Sequence, residues 1–124
     1  AATAATLKAL TPALFAQIAE NGTRLMEGLR RIFADNRVTA TVTGFPQVFH
    51  VGLGLAEPAR DYRDLTRINR AGYVALTTEM LYRGLRCLER GAWFLSSAHG
   101  PEVIDETLAI AAEAVKAVKA AGRI

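Results

Sequence analysis

Apolar positions recur every three or four residues from Phe15 through Ile18, Gly22, Leu25 and Leu29 to Ile32, the spacing of one helical face. The phase holds across Asn21-Gly22, so the pattern predicts one helix over about Pro12–Asp35. Thr11 supplies its N-cap and Pro12 its first helical position. Gly22 on the stripe costs about 1 kcal/mol against alanine. Each of the five apolar side chains returns roughly 1.5–3 kcal/mol when fully buried, so the helix survives it. A glycine on that stripe also admits the close approach of another backbone. Upstream, Ala1–Leu10 is nearly all alanine, leucine and threonine and reads as the buried end of a helix whose beginning is missing.

Beyond Asn36 the period changes. Arg37–Thr43 is β-branched at most alternate positions and predicts a strand. Gly44-Phe45-Pro46 is the turn, and Val48–Leu53 a second strand of an antiparallel hairpin. A loop from Glu57-Pro58 leads to a helix over about Asp64–Arg83, with Leu65, Ile68, Gly72, Leu76 and Met80 on one face and Gly84 just past its end. Leu85–Leu88 and Ala92–Leu95 read as two short strands joined across Glu89-Arg90-Gly91. Gly100-Pro101-Glu102 opens the last helix, whose stripe is Ile104, Leu108, Ala111, Val115 and Val118, and Gly122 stops it. Acidic Glu102, Asp105 and Glu106 near its start, and Lys116 and Lys119 near its end, suit the helix dipole. The order helix, helix, hairpin, helix, hairpin, helix predicts an α+β fold, a small antiparallel sheet with helices mainly on one face. No repeat or linker divides residues 1–124, so they form one domain.

Composition narrows the function classes. The 124 residues are 51% hydrophobic and 22% charged, an ordinary globular balance. No apolar run approaches the roughly 20 residues of a membrane span, and the N-terminus has neither the basic region nor the apolar core of a secretory signal. The single cysteine, Cys87, cannot form an internal disulfide, which favours a reducing, cytoplasmic compartment. The net charge is a modest +3. Arg60, Arg63, Arg67 and Arg70 would share a helix face, but interleaved Asp61 and Asp64 point to a salt-bridged face or a subunit contact rather than nucleic acid.

The residues with chemistry form no complete catalytic set. Neither His50 nor His99 has cysteine or acidic neighbours at ligand spacing, so no metal site is expected. Ser96, Ser97 and His99 lie where the last strand meets the last helix. Hydrogen bonds securing that corner are favoured there over proton transfer by His99, and no nucleophile elbow or orienting carboxylate supports a hydrolase triad. Cys87 reads as a small core residue. No lysine is set at a strand end in a pocket, and no glycine-rich phosphate loop occurs.

Several short motifs nevertheless occur in a specific order. Phe94-Leu95-Ser96-Ser97-Ala98-His99, followed by Pro101-Glu102-Val103-Ile104-Asp105-Glu106-Thr107-Leu108, resembles the end of class III pyridoxal-phosphate (PLP) aminotransferases. It is most similar to the glutamate-1-semialdehyde 2,1-aminomutase branch. Met80-Leu81-Tyr82-Arg83-Gly84 resembles the end of that family's preceding helix. Val42-Thr43-Gly44 before Phe49-His50-Val51 resembles its first small-domain hairpin, and Ala5–Leu10 the helix after its Asn-Pro.

The resemblance implies the C-terminal small domain of a fold-type I PLP enzyme, its first helix (about 1–10) truncated. The family's cofactor lysine, pyridine-facing carboxylate and phosphate contacts lie upstream, so no catalytic or cofactor-binding residue carries over onto this chain, which alone would bind no PLP. The expected partners are its own missing large domain, a second copy in a homodimer, and an amino-acid-like substrate that this domain covers. Trp93 stands where many class III transaminases have an arginine that grips a substrate carboxylate. An indole cannot form that bidentate contact, which favours the aminomutase-like branch and makes Trp93 either an aromatic wall beside substrate or a packing residue. Gly100 replaces the family's common threonine. The alternative is a free-standing α+β ligand-binding or dimerisation module with the arginines as its contact.

Overall fold

The computed structural model describes residues 2–124. Helix α1 spans Ala2–Ala9 and α2 Pro12–Asp35, followed by strands β1 (Ala40–Phe45) and β2 (Val48–Leu53). A single turn, α3 (Tyr62–Leu65), precedes α4 (Arg70–Tyr82), β3 (Ala92–Phe94) and α5 (Pro101–Ala120). The three strands form an antiparallel sheet in the order β1-β2-β3. Val42, Phe49, Val51, Leu53 and Trp93 project from one face into a core shared with Leu25, Leu29, Leu76, Met80, Ile104 and Val115 of α2, α4 and α5. This is the expected α+β arrangement, with helices on one face of a small antiparallel sheet.

The longest predicted helix has its expected bounds, with the Thr11 hydroxyl accepting from the Leu14 amide at 3.2 Å. Its stripe is buried at Ile18, Gly22, Leu25 and Leu29, but Phe15 is 49% exposed. Among the described residues no element covers that end of α2. The same holds for α1, predicted as a buried end: it buries none of its residues, and Ala1 lies outside the described residues. Gly22 meets another backbone as expected, since a Cβ there would sit 2.1 Å from the Pro46 carbonyl oxygen of the β1–β2 turn.

Three boundaries differ from the sequence reading. Arg37 does not begin β1, because it adopts a left-handed φ of 53° that ends α2. The Arg37 and Val38 amides donate to the carbonyls of Ala34 and Phe33, a Schellman closure usually made by glycine. The helix predicted over Asp64–Arg83 is split at Asn69, whose side chain accepts from the Gly72 amide at 2.9 Å and starts α4 afresh. Leu85–Leu88 is not a strand. Leu85 and Cys87 turn inward against the core as alternation requires, but among the described residues the segment has no ladder partner, and β3 pairs there only with β2. Gly84 and Gly122 carry φ values of 94° and 67° just past α4 and α5, the helix stops expected of them.

Candidate functional site

Clefts beside the last strand

Three clefts border the irregular segment 85–91 and β3. One of about 180 Å³ is bounded by Cys87, Trp93, Phe94, Leu95, His99 and Ile104, among others. A second, of about 570 Å³, opens between the α3–α4 connection and the segment, with His50, Tyr62, Arg70, Tyr73 and Arg90 on its walls. The third, of about 760 Å³, is walled by Arg70, Thr77, Arg86, Glu89, Arg90 and Phe94. Two of the clefts thus share Arg70, Glu89 and Arg90. Among the described residues, Arg70, Arg86 and Arg90 make no ion pair, unlike Arg24, Arg60, Arg67 and Arg83. Uncommitted guanidinium groups beside an open cleft suit a carboxylate or phosphate. Composition alone did not single out Arg86 and Arg90; their placement beside β3 does.

The residues singled out from the sequence fall on two sides of β3. Trp93 is 8% exposed, stacks on Phe49 with ring centroids 5.7 Å apart, and donates its indole N–H to the Tyr73 hydroxyl at 2.9 Å. The ladder sets Trp93 opposite Phe49 on the helix-covered face, so only a small part of the indole reaches the 180 Å³ cleft. Burial pushes the Tyr73 hydroxyl pKa up, against the smaller opposing effect of the Trp93 hydrogen bond. It also pushes the Cys87 thiol up to about 12, so Cys87 is a protonated thiol beside Met80, 3.9 Å from its sulfur.

The corner after β3 is a closed set of short-range bonds. The Ser96 amide donates to His99 Nδ1 at 2.9 Å, and the Ser96 hydroxyl lies 3.0 Å from the same nitrogen. The Ala98 amide donates to the Ser96 hydroxyl and the His99 amide to the Ser96 carbonyl. The backbone donor on Nδ1 requires that nitrogen to be unprotonated. Ser97 is exposed. Buried Asn21 of α2, across which the apolar phase holds but to which the sequence reading gave no role, donates to the His99 carbonyl at 3.0 Å. His50 sits on the open sheet face with Nε2 3.1 Å from the Arg90 carbonyl.

The arginine series does not share a helix face. Arg60 precedes α3, Arg63 lies within it, Arg67 follows it and Arg70 opens α4. Asp64 gathers two of them, at 3.2 Å from Arg60 and 3.5 Å from Arg67. The Arg60 backbone amide, then its side chain, hold the Asp64 carboxyl below the usual carboxylate range. Among the described residues no three histidine, cysteine or acidic side chains could hold a metal ion. Among the described residues no helix is long and apolar enough to cross a membrane.

A PLP site is not built from these side chains. Among the described residues no lysine lines any of the three clefts. Lys116 is paired with Glu113 and Lys119 donates to the Asn36 carbonyl, while Lys8 lies on α1, which buries none of its residues. The residues present do not fit around the cofactor as its primary holders.

Comparison with known proteins

No family model matches the chain. It is 32% identical over 110 residues to a glutamate-1-semialdehyde 2,1-aminomutase of Methanothrix thermoacetophila, covering 87% of this chain and 25% of the relative. A Sorangium cellulosum protein of the same name is 33% identical over 115 residues, 91% of this chain and 26% of the relative. Among solved structures, a transaminase with PLP bound superposes with a TM-score of 0.81 at 25% identity, over 97% of this chain and 27% of that one. An omega-transaminase from Sphaerobacter thermophilus gives 0.82 at 25% identity, over 90% and 26%. Fold and sequence together therefore define the class: the C-terminal small domain of the class III PLP-dependent aminotransferases. Within that class the named relatives are glutamate-1-semialdehyde aminomutases, and the chain corresponds to a fragment spanning about a quarter of their length.

Proposed function

We propose that residues 1–124 form the small domain that covers the substrate side of a PLP-dependent aminotransferase or aminomutase. The observation that carries this reading is likeness over 87% of the chain to relatives of which it spans 25%. The larger part of the polypeptide holds the cofactor, and PLP bound there supplies the electron sink for amino-group transfer. This domain contributes shape and charge. The enzyme works as a cytoplasmic homodimer on an amino-acid-like substrate.

The segment 85–91 is the substrate-side border in this reading. Arg86 and Arg90 bring unpaired positive charge to the clefts beside β3, matching a substrate carboxylate. Trp93 serves substrate mainly by packing. Its ring fixes β3 against Phe49 and Tyr73, and its cleft-facing edge is the only aromatic wall it offers. The test is steady-state kinetics of the complete polypeptide carrying Arg90→Gln, with Arg63→Gln as the exposed control. Loss of a charge-assisted contact raises KM for carboxylate substrates about tenfold or more in the first variant only. Equal KM values in both variants would remove Arg90 from the substrate border.

A further inference from the structure

Two consecutive residues of β2 hold two consecutive carbonyls of the segment that carries the cleft arginines. The Val51 amide donates to the Gly91 carbonyl at 2.9 Å. One residue earlier, His50 Nε2 lies 3.1 Å from the Arg90 carbonyl. A carbonyl oxygen only accepts, so Nε2 carries the proton and donates. The imidazole thus adds a side-chain rung just beyond the His50–Ala92 pair that ends the β2–β3 register.

The fit around this bond is close. Gly91 is buried and has a φ of 87°. A Cβ there would sit 2.6 Å from His50 Nε2 and 2.7 Å from the Val51 carbonyl oxygen, so the position needs glycine on both counts. The turn is held less firmly from within, since the Gly91 amide reaches the Leu88 carbonyl at 3.4 Å. Leu85 and Cys87 are anchored against the core, whereas Leu88, Glu89 and Arg90 are all exposed. The freedom of the segment therefore lies in residues 88–90, and the His50 bond removes it at Arg90. His50 and Arg90 border the same cleft of about 570 Å³, together with Arg70.

We infer that His50 is a positioning residue that holds the Arg90 backbone so that its guanidinium stands at the substrate border, an inference that rests on the role proposed above for Arg90. An arginine on a loose turn gives up rotamer and backbone freedom each time it grips a ligand. Fixing its carbonyl in advance lowers that cost. A displacement of about 1 Å is enough to spoil an oriented contact of this kind. His50 touches no substrate. Its effect passes through Arg90, a signature that a generally stabilising residue lacks.

Steady-state kinetics of the complete polypeptide test this with two variants. His50→Phe keeps a ring and removes the donor, while His50→Gln keeps an amide donor of similar reach. His50→Phe raises KM for carboxylate substrates at least about threefold with kcat within about twofold, and His50→Gln restores most of the loss. In an Arg90→Gln background, His50→Phe changes KM by less than about twofold, because the group it positions is gone. A parental KM in His50→Phe, an equal effect in both backgrounds, or no rescue by glutamine overturns the inference. Limited trypsin digestion read by mass spectrometry needs no activity. His50→Phe speeds cleavage after Arg90 at least about threefold relative to cleavage after exposed Arg63, and an unchanged ratio also overturns the inference. Circular dichroism checks folding, and His50→Leu, which likewise lacks the donor, replaces His50→Phe if that variant does not fold. An Arg90→Gln protein with parental KM fails the substrate border proposed above and the His50 role with it. Failure confined to the His50 variants leaves that border standing.

Discussion

The Asn21 amide donates to the His99 carbonyl at 3.0 Å, across 78 residues of chain. It fixes the corner between β3 and α5 to the middle of α2. The adjacent Gly22 receives the β1–β2 turn, so two neighbouring residues of one helix hold both that turn and the β3–α5 corner. Asn21→Ala leaves that carbonyl unpaired and lowers stability by about 1–2 kcal/mol. Asn21→Asp is worse at neutral pH because a carboxylate then faces a carbonyl oxygen. Urea denaturation of both variants checks the order; an Asn21→Asp protein as stable as the parent contradicts it.

Gly22→Ala sets helix propensity against packing. Alanine gains about 1 kcal/mol in a helix interior, but its Cβ would lie 2.1 Å from a backbone oxygen that no rotamer change can move. Shifting backbone to relieve such overlap costs about 1–3 kcal/mol or more. The expected result is a net loss in thermal stability, and a rise in Tm would show that the turn moves away freely.

Arg37→Gly has the opposite sign. The left-handed φ of 53° is strained for an arginine and natural for glycine, so the exchange stabilises the native α2 end by about 1 kcal/mol. The greater freedom of glycine in the unfolded chain offsets part of this. A small increase in the urea midpoint with unchanged slope is the expected outcome.

The Trp93–Tyr73 hydrogen bond predicts coupling. Trp93→Phe and Tyr73→Phe each remove one partner, and the double variant loses less than their sum by about 0.5–1.5 kcal/mol. Strict additivity would show that the 2.9 Å contact contributes nothing net.

Alkaline pH weakens the fold. Cys87 is raised from 9.0 to about 12 by burial, so the unfolded chain loses this proton first as pH rises. Its stabilising contribution is present below pH 9.0 and is lost as pH climbs from there towards 12. Tyr73, raised from 10.0, acts in the same direction. Denaturation midpoints measured upward from pH 8 fall for the parent, and less steeply for Cys87→Ala; equal slopes would remove Cys87 from this account.

Much of the fold was legible because hydrophobic phase reports faces well. It located α2 and β2 within a residue, and Cys87, read as a small core residue, does pack against the core. It could not report pairing, so a segment alternating like a strand was read as one without a neighbour to bond. Asn69 read as helix interior because its capping role depends on a backbone bend between α3 and α4. Phe15 and α1 matched an apolar pattern but have no layer above them. At the site, the motif order identified the family, while side-chain direction stayed hidden. Trp93 followed the period-two alternation inward, and the arginines beside the clefts became visible only once segment 85–91 had a path.

The most direct test of the central claim is a PLP-dependent amino-transfer assay on the complete polypeptide, with lysines substituted one at a time. The account predicts activity that requires PLP, is abolished by changing one lysine outside residues 1–124, and persists after substituting Lys8, Lys116 or Lys119. Activity that disappears with one of those three lysines, or no amino transfer with any amino-acid-like substrate, would contradict it.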